Sequence, residues 1–142
     1  MPTQPSTSSL QNIGIFRGLT PEDRRAMEAE LETMPLKRGD TLVRQGDPAD
    51  ALYIAVSGRF EVHVRGRTGP IAEIGPGSPI GEIAFLAGGE RTATVIAARD
   101  SLVLRLGRIE FDRLCARAPQ IWQALTTTLA RRLAESNLGR TV

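Results

Sequence analysis

Ile80-Gly81-Glu82-Ile83-Ala84-Phe85-Leu86-Ala87-Gly88-Gly89-Glu90-Arg91-Thr92-Ala93-Thr94-Val95 is the stretch on which the reading of this chain turns. Gly81 has no Cβ and lets the backbone approach a ligand closely. Glu82 to Leu86 is expected to form one short helical turn. The first N–H groups of such a turn lack internal partners and make a ready anion site. Gly88 and Gly89 then break the turn and send the chain back. Arg91 follows ten positions after Gly81, with Thr92 beside it. A guanidinium presents a rigid fork of donors suited to phosphate, and a hydroxyl adds one more. Glu82 is an acceptor in the same small space, to which a sugar hydroxyl can donate. One loop thus supplies amides and a cation for a phosphate, and a carboxylate for a ribose.

Outward from this stretch, Leu36 to Leu106 consists of short apolar runs separated by turn signals. These are Gly39-Asp40, Gly46-Asp47-Pro48, Ser57-Gly58, Gly66 to Pro70, Gly75-Pro76-Gly77 and Gly88-Gly89. Turns at such intervals point to a sandwich or barrel of antiparallel strands. The expected strands are Thr41–Arg44, Ala51–Ser57, Phe60–Arg65, Ile71–Ile74, Thr92–Ala97 and Leu102–Leu106. Phe60, Val62 and Val64 alternate with polar residues and share one face, as in a half-buried strand. His63 falls on the opposite face and reads as a surface residue. It is the only histidine, so a His-based metal site or a His-dependent catalytic triad has no second member.

Both ends read as helical. Thr20 is a cap, Pro21 takes the first helical position, and Glu22 and Asp23 follow at the positive end. Met27, Leu31 and Met34 repeat at helical spacing, with the helix expected to end before Pro35. Before it, Leu10 to Gly18 reads as a helical turn that packs Phe16 onto the domain. Met1 to Ser9 is rich in Pro, Ser and Thr, lacks a signal pattern, and reads as a disordered tail. After Gly107, Phe111, Leu114, Cys115 and Ala118 lie on one face. Pro119 starts a second helix through Asn137, whose Trp122, Leu125, Leu129 and Leu133 form a stripe, with Trp122 and Leu125 read mainly as core packing. Thr126-Thr127-Thr128 is β-branched and weakens that helix locally.

The chain has 142 residues, a length that suggests one domain with a real core. The expected domain spans 10–142, with helices over 10–34, a barrel over 36–106 and helices over 108–137. Its formal net charge of +2 is too small to imply a nucleic-acid or membrane surface. One cysteine, Cys115, precludes an intramolecular disulfide framework and fits a reducing, cytoplasmic compartment. It reads as a small core thiol. No apolar run approaches membrane-spanning length.

Gly81-Glu82-Ile83-Ala84-x-Leu86 followed by Arg91-Thr92-Ala93 resembles the phosphate-binding cassette of the cyclic-nucleotide-binding domain family. The resemblance extends from about Phe16 to Asn137, and the turns at Gly58 and Gly46-Asp47 are similar to recurrent turns of the family. It implies an α+β fold: an antiparallel jelly-roll-like barrel flanked by N-terminal and C-terminal helices, with a cyclic nucleotide inside. On that resemblance Glu82 accepts the ribose 2′-hydroxyl and Arg91 pairs with the cyclic phosphate. Gly81, Ile83, Ala84, Thr92 and Ala93 surround the phosphate, and Val64, Ile71 and Ile74 form a wall for the base. The last helix would swing over the base as a lid, with the lid residue drawn from Leu129 to Leu133 and Leu133 the candidate. An isolated Glu82–Arg91 pair would instead read as a surface ion pair of little energetic worth.

The function implied is a regulatory module that senses cAMP or cGMP, with cAMP slightly preferred, and signals to an unidentified effector domain or protein. Threonine beside the cassette arginine, here Thr92, accompanies cGMP in one branch of the family and cAMP in others. No DNA-reading helix-turn-helix follows Asn137, and no channel helices or kinase motifs are present. The expected partners therefore exclude nucleic acid and membrane, and a homodimer stays open. The chain reads as a stand-alone sensor or a fragment of a longer protein. The alternative is an orphan member of the fold that serves protein contact or dimerisation without nucleotide. An enzyme is disfavoured, because no Gly-x-Ser-x-Gly elbow, Walker loop or metal cluster accompanies the Ser, Thr and acidic residues.

Overall fold

The turn residues of the sequence separate eight strands: β1 (Glu32–Leu36), β2 (Thr41–Val43), β3 (Ala51–Ser57), β4 (Phe60–His63), β5 (Ala72–Ile74), β6 (Pro79–Ile80), β7 (Thr94–Ala97) and β8 (Ser101–Gly107). The computed structural model describes residues 14–141, so the tail expected over Met1 to Ser9 lies outside the described residues. The strands form two four-stranded antiparallel sheets, ordered β1-β8-β3-β6 and β2-β7-β4-β5. Inward side chains of both sheets meet in one core: Leu36, Tyr53, Ala55 and Val103 from the first, Val43, Phe60, Val95 and Ala97 from the second. This is the antiparallel jelly-roll-like arrangement that the turn spacing and the family resemblance led us to expect.

The chain divides into two compact units: Leu31–Arg108, which holds the strands, and a helical unit of 14–30 with 109–141. In the helical unit a single 3₁₀ turn (Gly14–Phe16) precedes helix α1 (Pro21–Glu28), and helices α3 (Arg108–Arg117) and α4 (Pro119–Thr141) follow the barrel. Thr20 caps α1, its hydroxyl accepting from the Asp23 N–H at 3.1 Å, and Pro21 opens the helix. Phe16, Met27, Phe111, Ile121 and Leu125 are fully buried.

Three local readings need correction. The helix expected to run to Met34 stops at Glu28, and Met34 lies in β1 opposite Val103. Pro35 disfavours the helical region at Met34, and pairing with β8 rewards the extended form. Pro35 itself sits on an edge strand, the place in a sheet where proline is tolerated. In α4 the buried pair is Ile121 and Leu125, four apart on one face, whereas Trp122 is 41% exposed and leans on the Phe111 ring at 6.2 Å. Three strands are also shorter than expected: β4 stops at His63, β5 begins at Ala72 and β7 begins at Thr94. Cys115 is half-buried, and burial, followed by Asp112, pushes its thiol pKa up.

The β3–β4 turn shows how closely the barrel is packed. Gly58 has φ +95°, and a Cβ there would stand 2.0 Å from the Ser101 Oγ. That hydroxyl accepts from the Arg59 N–H at 3.2 Å and donates to the Arg99 carbonyl at 2.8 Å. Gly58→Ala combines left-handed strain with overlap against this serine. It is expected to lower stability by about 2–4 kcal/mol, read from chemical denaturation. An unchanged midpoint would show that the turn can move aside.

Candidate functional site

Ile80 ends β6 paired with Tyr53 of β3, and the chain then turns sharply at Gly81. Gly81 has φ +71°, in the left-handed region, and a Cβ on it would lie 2.2 Å from Nη1 of Arg91. Only glycine satisfies both the backbone angle and the approach of the guanidinium. Helix α2 (Glu82–Ala87) follows, with Phe85 and Leu86 buried beneath it and Ile83 exposed. Gly88, again left-handed, closes the helix: its N–H donates to the Phe85 carbonyl at 3.3 Å, and that of Gly89 to the Ala84 carbonyl at 3.0 Å.

Arg91 returns the chain to the barrel and is only 4% exposed. Its backbone is fixed at both ends, the N–H donating to Asp47 at 2.8 Å and the carbonyl accepting from Gly46 at 2.9 Å. Nη1 donates to the Gly81 carbonyl at 3.0 Å, and Nη2 donates to the Ala51 carbonyl. The Tyr53 ring lies 5.7 Å from the guanidinium carbon. Burial lowers the Arg91 pKa, and Arg108 lowers it further, while Tyr53 and Asp50 pull it the other way. With two carbonyls and an aromatic face around it the group remains a cation. Among the described residues no carboxylate forms an ion pair with it. Glu82 and Arg91 are therefore not the surface ion pair of the alternative reading.

A cavity of about 450 Å³ opens beside this loop. Gly81, Glu82, Ile83 and Ala84 line it from the start of α2, Arg91, Thr92 and Ala93 from the returning chain, and Ile74 from β5. Val43, Val62, Ile80 and Val95 complete an apolar wall. Those four were not singled out from the sequence. Val62 shares its face with Phe60, so strand alternation carries a signal for it; Val43 and Val95 are marked by nothing beyond being apolar. Val64, Ile71 and Leu133, the other candidates, do not line this cavity. Val64 and Ile71 fall in the β4–β5 connection, outside the ladder that shapes the wall, and Ile71 is 47% exposed. Leu133 belongs to the helical unit and is 41% exposed. His63 is half-buried with Nε2 3.4 Å from Glu61 Oε1, and it does not line the cavity. Among the described residues no cluster of three His, Cys, Asp or Glu side chains could hold a metal ion. No helix among them is long and apolar enough to cross a membrane.

The arrangement offers a buried cation and a glycine-started helix at one side, a carboxylate next to them, and an apolar wall opposite in kind. Comparison with known proteins agrees with this chemistry. Residues 33–118 match the family model of the cyclic nucleotide-binding domain. The chain is 35% identical over 127 residues to the cyclic AMP receptor protein of Thermus thermophilus, covering 87% of this chain and 59% of that protein. The chain thus spans less than two thirds of that relative's length. Among solved structures, it resembles the N-terminal domain of a transcriptional regulator from Streptomyces coelicolor, with TM-score 0.81 and 32% identity, covering 94% of this chain and 96% of that one. It also resembles the regulatory domain of Toxoplasma gondii PKA solved with cAMP, with TM-score 0.70 and 26% identity, covering 88% of this chain and 48% of that one. The family match over more than half the chain, together with the identity to these relatives, makes this protein a member of the cyclic nucleotide-binding domain family.

Proposed function

We propose that the cavity binds a cyclic nucleotide and that the domain serves as a regulatory module that reports its occupancy. The observation that carries this reading is Arg91. It is a cation buried to 4% exposure, held on two carbonyls, and it lines a cavity shared with Glu82 and the start of α2. A guanidinium has five N–H donors, so a cyclic phosphate can take those not directed at Gly81 and Ala51. Backbone N–H groups near Ile83, Ala84 and Thr92 complete the phosphate cradle, and Glu82 accepts the ribose 2′-hydroxyl. The base packs on the apolar wall, with Ile74, Val62 and Val95 in place of the Val64 and Ile71 contacts expected earlier.

The ligand preference is drawn slightly toward cAMP. Thr92 is compatible with either base, and the similar proteins named for cAMP support that side. The signal is proposed to leave through α4, which closes over the base as a lid and acts on an effector domain or protein. Two observations support a movable helix. Every residue from Ala130 to Glu135 is exposed. The Thr126 hydroxyl donates back to the Trp122 carbonyl at 2.8 Å, a bond that competes with the helix ladder and favours bending. For the lid to couple to ligand, the nucleotide must bind the closed form more tightly than the open one. The role is regulatory rather than catalytic. Calorimetric titration with cAMP and cGMP in parallel tests the whole reading, and binding of neither would leave the fold as a protein-contact module.

Arg91→Ala is expected to weaken cyclic-nucleotide binding by about 2–5 kcal/mol, the range for removing one partner of a buried charge pair. It also strips donors from two carbonyls, so titrations belong well below its melting temperature. Unchanged affinity would remove Arg91 from the phosphate role. Glu82→Gln should cost less, because an amide oxygen still accepts one hydrogen bond, and should narrow the preference for ribose over 2′-deoxyribose ligands. Equal losses for both sugars would take Glu82 away from the ribose.

For the lid, hydrogen exchange between Leu125 and Glu135 should slow on adding nucleotide, beyond any change in strands remote from the cavity. Removing the chain after Thr126 should weaken binding while leaving its dependence on Arg91 intact. A truncated protein that binds as tightly as the full chain would make α4 structural only.

A further inference from the structure

Arg108 stands where β8 ends and α3 begins. Its backbone N–H donates to the Asp50 carbonyl at 2.8 Å. Its Nη2 donates to the Ala49 carbonyl at 3.1 Å and to the Phe85 carbonyl. The same guanidinium lies over the Phe85 ring, its Cζ 4.1 Å from the ring centroid. Phe85 is fully buried and sits in the last turn of α2, where its carbonyl also accepts from the Gly88 N–H at 3.3 Å and a cation is favoured.

Helix α2 has six residues, too few to persist by backbone bonding alone. Its position must therefore come from tertiary contacts. Arg108 supplies one to the helix end and a second to the strap that precedes β3. That strap is tied in turn to the returning chain: Ala49 N–H donates to the Gly89 carbonyl at 3.0 Å, and Arg91 N–H donates to the Asp47 carbonyl at 2.8 Å. The end of α2, the strap and the Arg91 backbone are thereby joined around one side chain that does not itself line the cavity.

We propose that Arg108 is a positioning residue for the nucleotide site: by pinning the end of α2 it sets where Glu82 stands at the helix start. This rests on the reading that Glu82 meets the ribose. The role asks for a planar cation that stacks on a ring while donating to two carbonyls. A lysine keeps the charge and one bond but cannot stack in the same way.

The test uses the full chain with Arg108→Ala and Arg108→Lys. In ligand-free protein, hydrogen exchange of the Phe85–Gly89 amides should accelerate about tenfold or more in Arg108→Ala, while β3 and β8 change far less. Titration with cAMP should weaken about tenfold, and with 2′-deoxy-cAMP by less, so the ratio between the two narrows. Arg108→Lys should recover more of the melting temperature than of that ratio, and it carries the same measurements if the alanine variant does not fold. An unchanged ratio, with exchange rising as much in β3 and β8 as in α2, would make Arg108 a general stabiliser and overturn the proposal. If the unsubstituted protein binds neither cAMP nor cGMP, the nucleotide reading fails first. Exchange at Phe85–Gly89 then separately decides whether Arg108 pins the helix.

Discussion

The arrangement of the site depends on the burial of one guanidinium. Taking the Arg91 cation out of water is costly unless hydrogen bonds and polarizable neighbours replace its hydration. The protein meets that demand with the carbonyls of Gly81 and Ala51 and the face of Tyr53. Each partner constrains something else. The bond to Gly81 requires a left-handed residue without a Cβ at the start of α2. The bond to Ala51 ties the loop to the first residue of β3, which pairs with Gly107 at the end of β8. The Arg91 side chain therefore links the start of the cassette to the barrel directly.

This arrangement also leaves Glu82 and Arg91 unpaired with each other among the described residues. Here backbone carbonyls hold the guanidinium, and Glu82 lines the same cavity without forming an ion pair with it among the described residues. Carbonyls are neutral acceptors and leave the positive potential of the site largely intact. A cavity with one buried cation and apolar walls suits a ligand with an anionic end and a flat, weakly polar one.

Much of this was readable in the residues of Ile80–Val95, because its chemistry is local. A glycine, an acid and an arginine at fixed short spacing put the residue types of the loop within one short segment. The barrel was readable for a similar reason: strands such as Ala51–Ser57 are short apolar runs set between turn residues, here Gly46-Asp47-Pro48 and Gly58. Reading failed where distant pairing outweighed local pattern. Met27, Leu31 and Met34 follow helical spacing, yet Met34 is a strand residue because β8 lies beside it. Trp122 looks like a core residue by size, but the α4 face that is buried carries Ile121 and Leu125.

The sequence by itself determined an antiparallel β architecture and the residue types of the cassette, since these rest on turn chemistry and on spacings of ten residues or so, and its resemblance to a known family supplied the rest of the fold class. Tertiary structure alone decided which strand residues wall the cavity and what holds Arg91. Val43, Val62 and Val95 come together from three strands of one sheet through long-range pairing, and no short-range pattern distinguishes them from Val64. The carbonyls that hold Arg91 are invisible in a sequence, because every residue carries one. Only the folded backbone brings the carbonyls of Gly81 and Ala51 to the same guanidinium, forty positions separating Ala51 from Arg91 in the chain.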